Sequence, residues 1–299
     1  MKCPCCLSEH ISIRKIGSTK YLQCRNCRLL FAFDDIGPNR MKKLSRHYDS
    51  IDPHKSVSTA KKKFFSYVLN HLGHSNARKR SILDVGCGYG YFLEMASHKK
   101  WRTKGVEVAK IAVEESRKRF GDKNIFYGTL REAEFDDDSF DAVTCWDVLA
   151  YVENPAGELK ECFRILKNGG KLGIRTRNVA LQILLYRLYS FFRKPLLFLD
   201  SKKPYVFNYY CYSKSSLYLL LKRLGYTNIQ IKNSPLTRGD PYGHLELKKI
   251  ISIIKYLIAC MSEIIFRLSN RRWVLSPSLL IWAEKPHSSS ETGNTPSDG

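Results

Sequence analysis

From residue 81 onward, apolar residues switch repeatedly between two periods. Ser81-Ile82-Leu83-Asp84-Val85 is a near-continuous apolar run of strand length. After a glycine-rich turn, Phe92, Leu93, Met95 and Ala96 recur at helical spacing. Strand patterns return at Lys104–Val108, at Ile125–Leu130 and at Phe140–Asp147. Leu159, Cys162, Phe163 and Leu166 form a helical stripe, with Asn168-Gly169-Gly170 expected as its glycine cap. Leu172–Thr176 reads as a further strand. A helix from Tyr212 through Leu217, Leu220, Leu221 and Leu224 then stops at Gly225. Thr227–Lys232 is the next strand, and Ser278–Ala283 is expected to close the sheet antiparallel. Strands alternating with helices predict an α/β fold.

Ahead of this unit lies a different texture. Ile11, Ile13, Ile16, Tyr21 and Leu22 predict two short strands around Gly17-Ser18. Cys3-Pro4-Cys5-Cys6 and Cys24-Arg25-Asn26-Cys27 are two C-x-x-C knuckles. Zinc takes four ligands at tetrahedral corners, and each knuckle offers two sulfurs, so Cys3, Cys6, Cys24 and Cys27 are the expected ligands of a structural zinc. The residues after each pair are Leu7 and Arg28, where such knuckles usually carry glycine, and Cys5 is a spare sulfur. Cys87, Cys145, Cys162, Cys211 and Cys260 are scattered and read as small buried hydrophobes. The ribbon is expected over residues 1–35 as a small core of its own, followed by a linker and helical lead-in over 36–80.

Charge sharpens the division. The 299 residues carry 50 Lys and Arg against 28 acids, a net of +22. The excess sits in residues 1–80 (+12) and 181–299 (+10), and the middle hundred residues are neutral. Basic flanks suit nucleic acid, an anionic membrane surface or a phosphorylated substrate. Apolar content of 43% excludes global disorder. No stretch is long and apolar enough to predict a spanning helix, and the first residues lack a signal-peptide core. The expected location is the cytoplasm, with peripheral contact at the inner face of the membrane.

The turn Gly86-Cys87-Gly88-Tyr89-Gly90 decides the class of ligand. A dinucleotide fingerprint needs glycine at position 91, where this chain has Tyr91. Acidic Asp84 beside the turn would repel phosphate but accept a hydrogen bond from an ammonium group. Glu107 follows Gly86 by 21 residues at the end of the next strand, where a carboxylate accepts both ribose hydroxyls. An amino acid joined to a nucleoside fits this pattern, and S-adenosylmethionine is one.

The run from Ile82 to Asn178 resembles the class I S-adenosylmethionine-dependent methyltransferases. It is most similar to the subgroup of ubiquinone-pathway O-methyltransferases. The matching stretches are Asp84–Gly90, Gly105–Glu107, Ser139–Asp141, Trp146–Leu149 and Arg164–Gly170. Bacterial members of the group also carry a ribbon ahead of this domain. The resemblance implies a doubly wound, seven-stranded Rossmann-like sheet over 81–285; the residues themselves predict insertions near 179–210 and 235–272 and, from a Ser/Thr/Gly/Pro-rich composition, a disordered tail over 286–299. It implies that the backbone at Gly86, Gly88 and Gly90 holds the methionine moiety with Asp84 and that Glu107 binds the ribose. Thr129 and Leu130 would border the adenine, and Trp146 and Asp147 would face cofactor and substrate mouth. Relatives often carry Glu-His before the valine, where this chain has Ala150-Tyr151, so no catalytic metal is expected.

Methyl transfer to a hydroxyl benefits from a general base. The candidates are Asp147 and Tyr151, with His47 and Tyr48 from the segment before the domain. The expected activity is O-methylation of a small or lipid-carried acceptor, with a saccharide among the candidates. An RNA methyltransferase gripping phosphates with the ribbon and basic flanks is the first alternative, and a non-catalytic binding module is the second. The segment 245–268 predicts a helix with apolar residues at Ile254, Leu257, Ile258, Met261, Ile265 and Leu268 among Lys248, Lys249, Lys255 and Arg267. It is expected either to pack on the domain or to lie on an anionic membrane.

Overall fold

A computed structural model describes residues 1–16, 19–32, 57–73, 80–192, 208–235, 237 and 249–287. The general-base candidates His47 and Tyr48 lie outside these residues. So do Leu245–Lys248 at the start of the basic helix, and most of the tail expected to be disordered.

Two sheets organise the chain. The first begins with β1 (Ile11–Ile16) and β2 (Thr19–Cys24), the predicted hairpin, and adds β3 (Leu30–Ala32). The second is a seven-stranded sheet. Its parallel strands are β4 (Ser81–Val85), β5 (Arg102–Glu107), β6 (Ile125–Tyr127), β7 (Phe140–Trp146) and β8 (Leu166–Arg177). A two-residue strand, β9 (Tyr210–Cys211), belongs to the first sheet. β10 (Thr227–Asn233) and β11 (Ser278–Glu284) complete the second, whose order is β10-β11-β8-β7-β4-β5-β6. β11 runs antiparallel to both its neighbours, as its place in the sequence predicts.

Helices cover both faces, so the central strands are buried on both sides and read as near-continuous apolar runs. Along β7 the side chains alternate with period two. Ala142 and Trp146 join the layer of Phe64, Phe92 and Trp282, and Val143 and Cys145 join the layer of Leu159, Cys162 and Leu220. The first layer is closed by α1 (Val57–Leu72) and α2 (Tyr91–His98). α3 (Lys110–Phe120) packs against β5 and β6.

The next helix, α4 (Pro155–Ile165), starts on a sequence signal. The Asn154 side chain accepts a hydrogen bond from Gly157 N–H at 3.0 Å, and Pro155 occupies the first turn, where its missing N–H costs nothing. Its end departs from expectation. Gly169 does not cap it; the chain passes straight into β8 at Leu166, and Gly169, at φ +72°, turns inside that strand. The free carbonyls at the helix end are met instead by Lys285, whose ammonium donates to Arg164 O at 3.2 Å and Leu166 O at 2.7 Å.

α5 (Val179–Phe192) leaves β8, and α6 (Lys214–Arg223) begins on a Ser213–Ser216 capping box. α7 (Lys249–Leu268) docks through Ser262 and Phe266, with the Asn233 amide donating to Ser262 O at 3.0 Å.

The ribbon is not a separate core. β3 is buried along its whole length, and β9, nearly 180 residues later, pairs with it as a fourth strand. Ser213 O–H donates to Cys27 O at 2.6 Å, and Arg223 to Pro4 O at 2.8 Å. Leu22, Leu29 and Phe31 share one apolar cluster with Tyr210, Tyr212 and Leu217. The physical reason is size: some thirty residues cannot bury such apolar strands alone, so the knuckles rest on the larger domain.

Candidate active site

Ligands bind α/β sheets outside the carboxyl ends of the strands, where the winding reverses. Here that point lies at β4, which has β5 on one side and β7 on the other. A cavity of about 470 Å³ opens there, lined by Gly86, Glu107, Thr129 and Leu130 and, across the opening, by Val148 and Glu158. That volume suits a small-molecule or cofactor site.

The glycine turn is pinned to β5 by Gly86 N–H and Cys87 N–H, which both donate to Val106 O at 2.8 and 3.1 Å. Gly86 has φ +70°, and a Cβ there would lie 2.3 Å from Val148 Cγ2. Glycine is therefore required twice over, by backbone and by close approach. Gly88 and Gly90 also take positive φ but do not line the cavity; Gly90 makes room for Phe120 of α3.

Glu107 is buried and binds this same turn. One carboxylate oxygen accepts Gly88 N–H at 2.8 Å, and the other accepts Val108 and Ala109 N–H at 2.8 and 2.9 Å. Burial pushes its carboxyl up, and the three N–H donors oppose that rise. Asp84 lies beneath the turn rather than in the cavity wall. It accepts Thr144 O–H at 2.7 Å, and burial raises its carboxyl to about 7.

Thr129 is fixed by Glu132, whose carboxylate accepts its N–H and O–H at 2.7 and 2.9 Å; Leu130 is wholly buried beside it. Trp146 borders the cavity, but its ring is packed edge-on against Phe64, Phe92 and Trp282, so it serves the wall rather than the mouth. Tyr151 lines the cavity, as does Asp147.

Asp147 sits at φ +66° just past β7, and its carboxylate is held by two buried cations, Lys61 of α1 at 3.0 Å and Arg175 of β8 at 2.5 Å. Arg175 and Lys61 outweigh the desolvation of Asp147 and hold its carboxyl at about 2. A group this acidic is a poor proton acceptor near neutral pH. Arg175 is fixed further by the Ser234 hydroxyl at 3.0 Å and lies over the Phe64 ring.

Sequence reasoning missed Lys61, Arg175 and Glu158. Arg175 did carry a signal, since an arginine inside an apolar strand needs a partner. Lys61 is one of three consecutive lysines and carried none. Glu158, in the first turn of α4, lines the cavity; burial and neighbouring Glu161 lift its carboxyl to about 7.

The four knuckle sulfurs form a second centre. Cys3, Cys6, Cys24 and Cys27 place their sulfurs within 4.8 Å of one another, with Cys3–Cys27 at 3.5 Å and Cys6–Cys24 at 3.6 Å. A tetrahedral zinc with Zn–S of about 2.3 Å sets its sulfurs about 3.8 Å apart, so the cluster fits that ion. Leu7 and Arg28, the residues in place of glycine, take φ +60° and +64°, the left-handed conformation a knuckle asks for.

Comparison with known proteins agrees with this geometry. A family model described as a methyltransferase domain matches residues 58–231. A ubiquinone biosynthesis O-methyltransferase of Alkalilimnicola ehrlichii is 33% identical over 38% of this chain and 47% of its own length. The enzyme of the same name from Xanthomonas oryzae is 31% identical over 45% of this chain and 57% of its own. The chain thus spans about half the length of these curated relatives. Among solved structures, a phosphoethanolamine N-methyltransferase of Haemonchus contortus, bound to phosphomonomethylethanolamine and S-adenosylhomocysteine, is similar in fold. It has a TM-score of 0.52 and 16% identity, covering 84% of this chain and 58% of that one.

Proposed function

The chain belongs to the methyltransferase-domain family, and from that premise we propose that it is an S-adenosylmethionine-dependent O-methyltransferase of a small or lipid-carried hydroxyl acceptor. The observation that carries the reading is the cavity at the winding reversal, lined by Gly86 of the glycine turn and by buried Glu107, which is hydrogen-bonded to that turn. Gly86 would admit the amino-acid end of the cofactor against backbone. Glu107, already ordered by three N–H groups, would accept the ribose hydroxyls. Leu130, Val148 and Val152 would clasp the adenine, with Glu158 within the same wall.

When bound, S-adenosylmethionine supplies an electrophilic methyl group on a sulfonium, and transfer is an in-line displacement. The protein's task is alignment and exclusion of water. Asp147 would orient the acceptor as a fixed, ionised hydrogen-bond acceptor, because Lys61 and Arg175 keep it charged. Tyr151 is the side chain of the cavity wall that would relay the hydroxyl proton, its phenol giving up one proton to solvent as it accepts the other. Oxygen as the acceptor atom follows the curated relatives' name; a saccharide is one acceptor of that class. Cys3, Cys6, Cys24 and Cys27 would hold one structural zinc, closed to substrate by its four sulfurs.

Calorimetry with S-adenosylhomocysteine tests the reading. One site per chain is expected, weakened roughly ten- to hundred-fold by Glu107→Gln, the scale of a charge-assisted hydrogen bond. Transfer of labelled methyl to a lipid or saccharide extract should depend on Tyr151. Absence of binding by folded protein, or an unchanged affinity in Glu107→Gln, would overturn the assignment.

A further inference from the structure

α7 is apolar on two opposite faces. Its packed face is marked by buried Ser262 and Phe266. Leu257, Met261, Ile264 and Leu268, spaced i, i+4, i+7 and i+11, form a single stripe on the other side and are exposed by 50–83%. A helix that is apolar on every side is ordinarily enclosed. Trp273, in the turn that follows, is 63% exposed.

α5 repeats the device. Val179, Ile183 and Tyr186 pack into one apolar cluster with Leu30 and Cys211, while Leu184, Leu188 and Phe191, at i, i+4 and i+7, are exposed on the other side. The two helices share a root. The Asn178 amide, at the start of α5, donates to Val274 O at 2.9 Å and Ser276 O at 3.1 Å in the segment after α7. Both insertions depart from the edge of the sheet where the parallel strands end and the cavity opens.

The charge around these stripes is mostly positive, Glu263, which pairs with Arg267 at 3.1 Å, being the acid among it. Arg267 flanks the α7 stripe, and Arg271 and Arg272 are exposed beside Trp273. Residues 181–299 as a whole carry a net of +10. Among the described residues no helix is long and apolar enough to cross a membrane. An apolar stripe with a cationic rim fits a surface that is apolar within and negatively charged at its boundary.

We propose that the exposed stripes of α5 and α7 seat the protein on an anionic lipid bilayer, with the cavity opening toward the headgroups. This goes beyond the cofactor reading and is tested apart from it, since vesicle binding needs no methyl donor.

The molecule carries its own probe. Of its four tryptophans, Trp101, Trp146 and Trp282 are buried, so a change of emission on adding vesicles reports Trp273. The experiment mixes the full chain with phosphatidylcholine vesicles, with or without phosphatidylglycerol. Sedimentation and a blue shift are expected only with the anionic lipid. Leu257→Ser, Met261→Ser, Ile264→Ser and Leu268→Ser combined should lower partitioning at least ten-fold. Arg267→Glu with Arg272→Glu should do the same, at roughly five-fold per charge removed. These positions are exposed, so far-ultraviolet dichroism and S-adenosylhomocysteine affinity should stay unchanged.

Equal partitioning with both lipids, no blue shift, or stripe variants that bind as well as the parent would overturn the proposal. A concentration-dependent dimer dissolved by the stripe variants would assign the face to a second copy instead. Salt-sensitive RNA binding that ignores the stripe but follows the arginines would assign the rim to nucleic acid.

Discussion

Asp147→Asn isolates the charge that binds α1 to the strands. Asparagine keeps the shape of the side chain and tolerates φ +66° about as well as aspartate, so the substitution removes charge with little added backbone strain. It leaves Lys61 and Arg175, both more than nine-tenths buried, without their shared counterion. Removing one partner of a buried pair costs about 3–5 kcal/mol, and the partial exposure of Asp147 places the loss near the lower bound, about 3 kcal/mol. Asp147→Ala should cost roughly 1–2 kcal/mol more, because alanine is strained at positive φ. Lys61→Met in the Asp147→Asn background removes a stranded charge and should recover at least about 1 kcal/mol. The assay is urea unfolding followed by far-ultraviolet dichroism, with the midpoint falling at constant m-value. A loss below 1 kcal/mol for Asp147→Asn, or strict additivity with Lys61→Met, would refute the view that the two cations depend on this carboxylate.

Three further outcomes follow from other parts of the molecule. Arg28→Gly, and separately Leu7→Gly, should stabilise the ribbon by about 1 kcal/mol each, since glycine takes the left-handed conformation without strain; thermal melting with metal bound would show it. Stability should fall as pH rises from about 4 to 7, because folded Asp84 and Glu158 hold protons up to about 7 that the unfolded chain has already released; Asp84→Asn should flatten this slope by a few kcal/mol in urea titrations across pH. Metal analysis should find about one zinc per chain, and its removal should lower the melting point of the whole molecule, because Leu29 and Phe31 share the domain's core.

The legible parts of the chain are those whose cause is local. The central strands β4 and β7 are buried on both faces, so their apolar runs announce them, and the ribbon hairpin is framed by its knuckles. Glu107 and Gly86 were legible because strand, turn and acidic residue follow one another at fixed spacing. What escaped the sequence depends on distant partners. β9 is two residues long and acquires its meaning from β3. Gly169-Gly170 resembles a helix stop, but Lys285, far along the chain, satisfies the end of α4 and frees the glycines for a turn. Asp147 looked like a base until Lys61 and Arg175 converged on it.

The pairing of β3 with β9 sets a schedule for synthesis. Ala32 leaves the ribosome about 180 residues before Tyr210, an interval of roughly 9–36 s at ordinary elongation rates. Throughout that time β3 has an unpaired edge, and its apolar side chains have no domain to rest on. The sulfur cluster is complete once Cys27 emerges, so a zinc held there would order the nascent ribbon while its last strand is still untranslated. If the cluster holds zinc, a chain made without the metal would carry that open edge unordered for as long as its synthesis lasts.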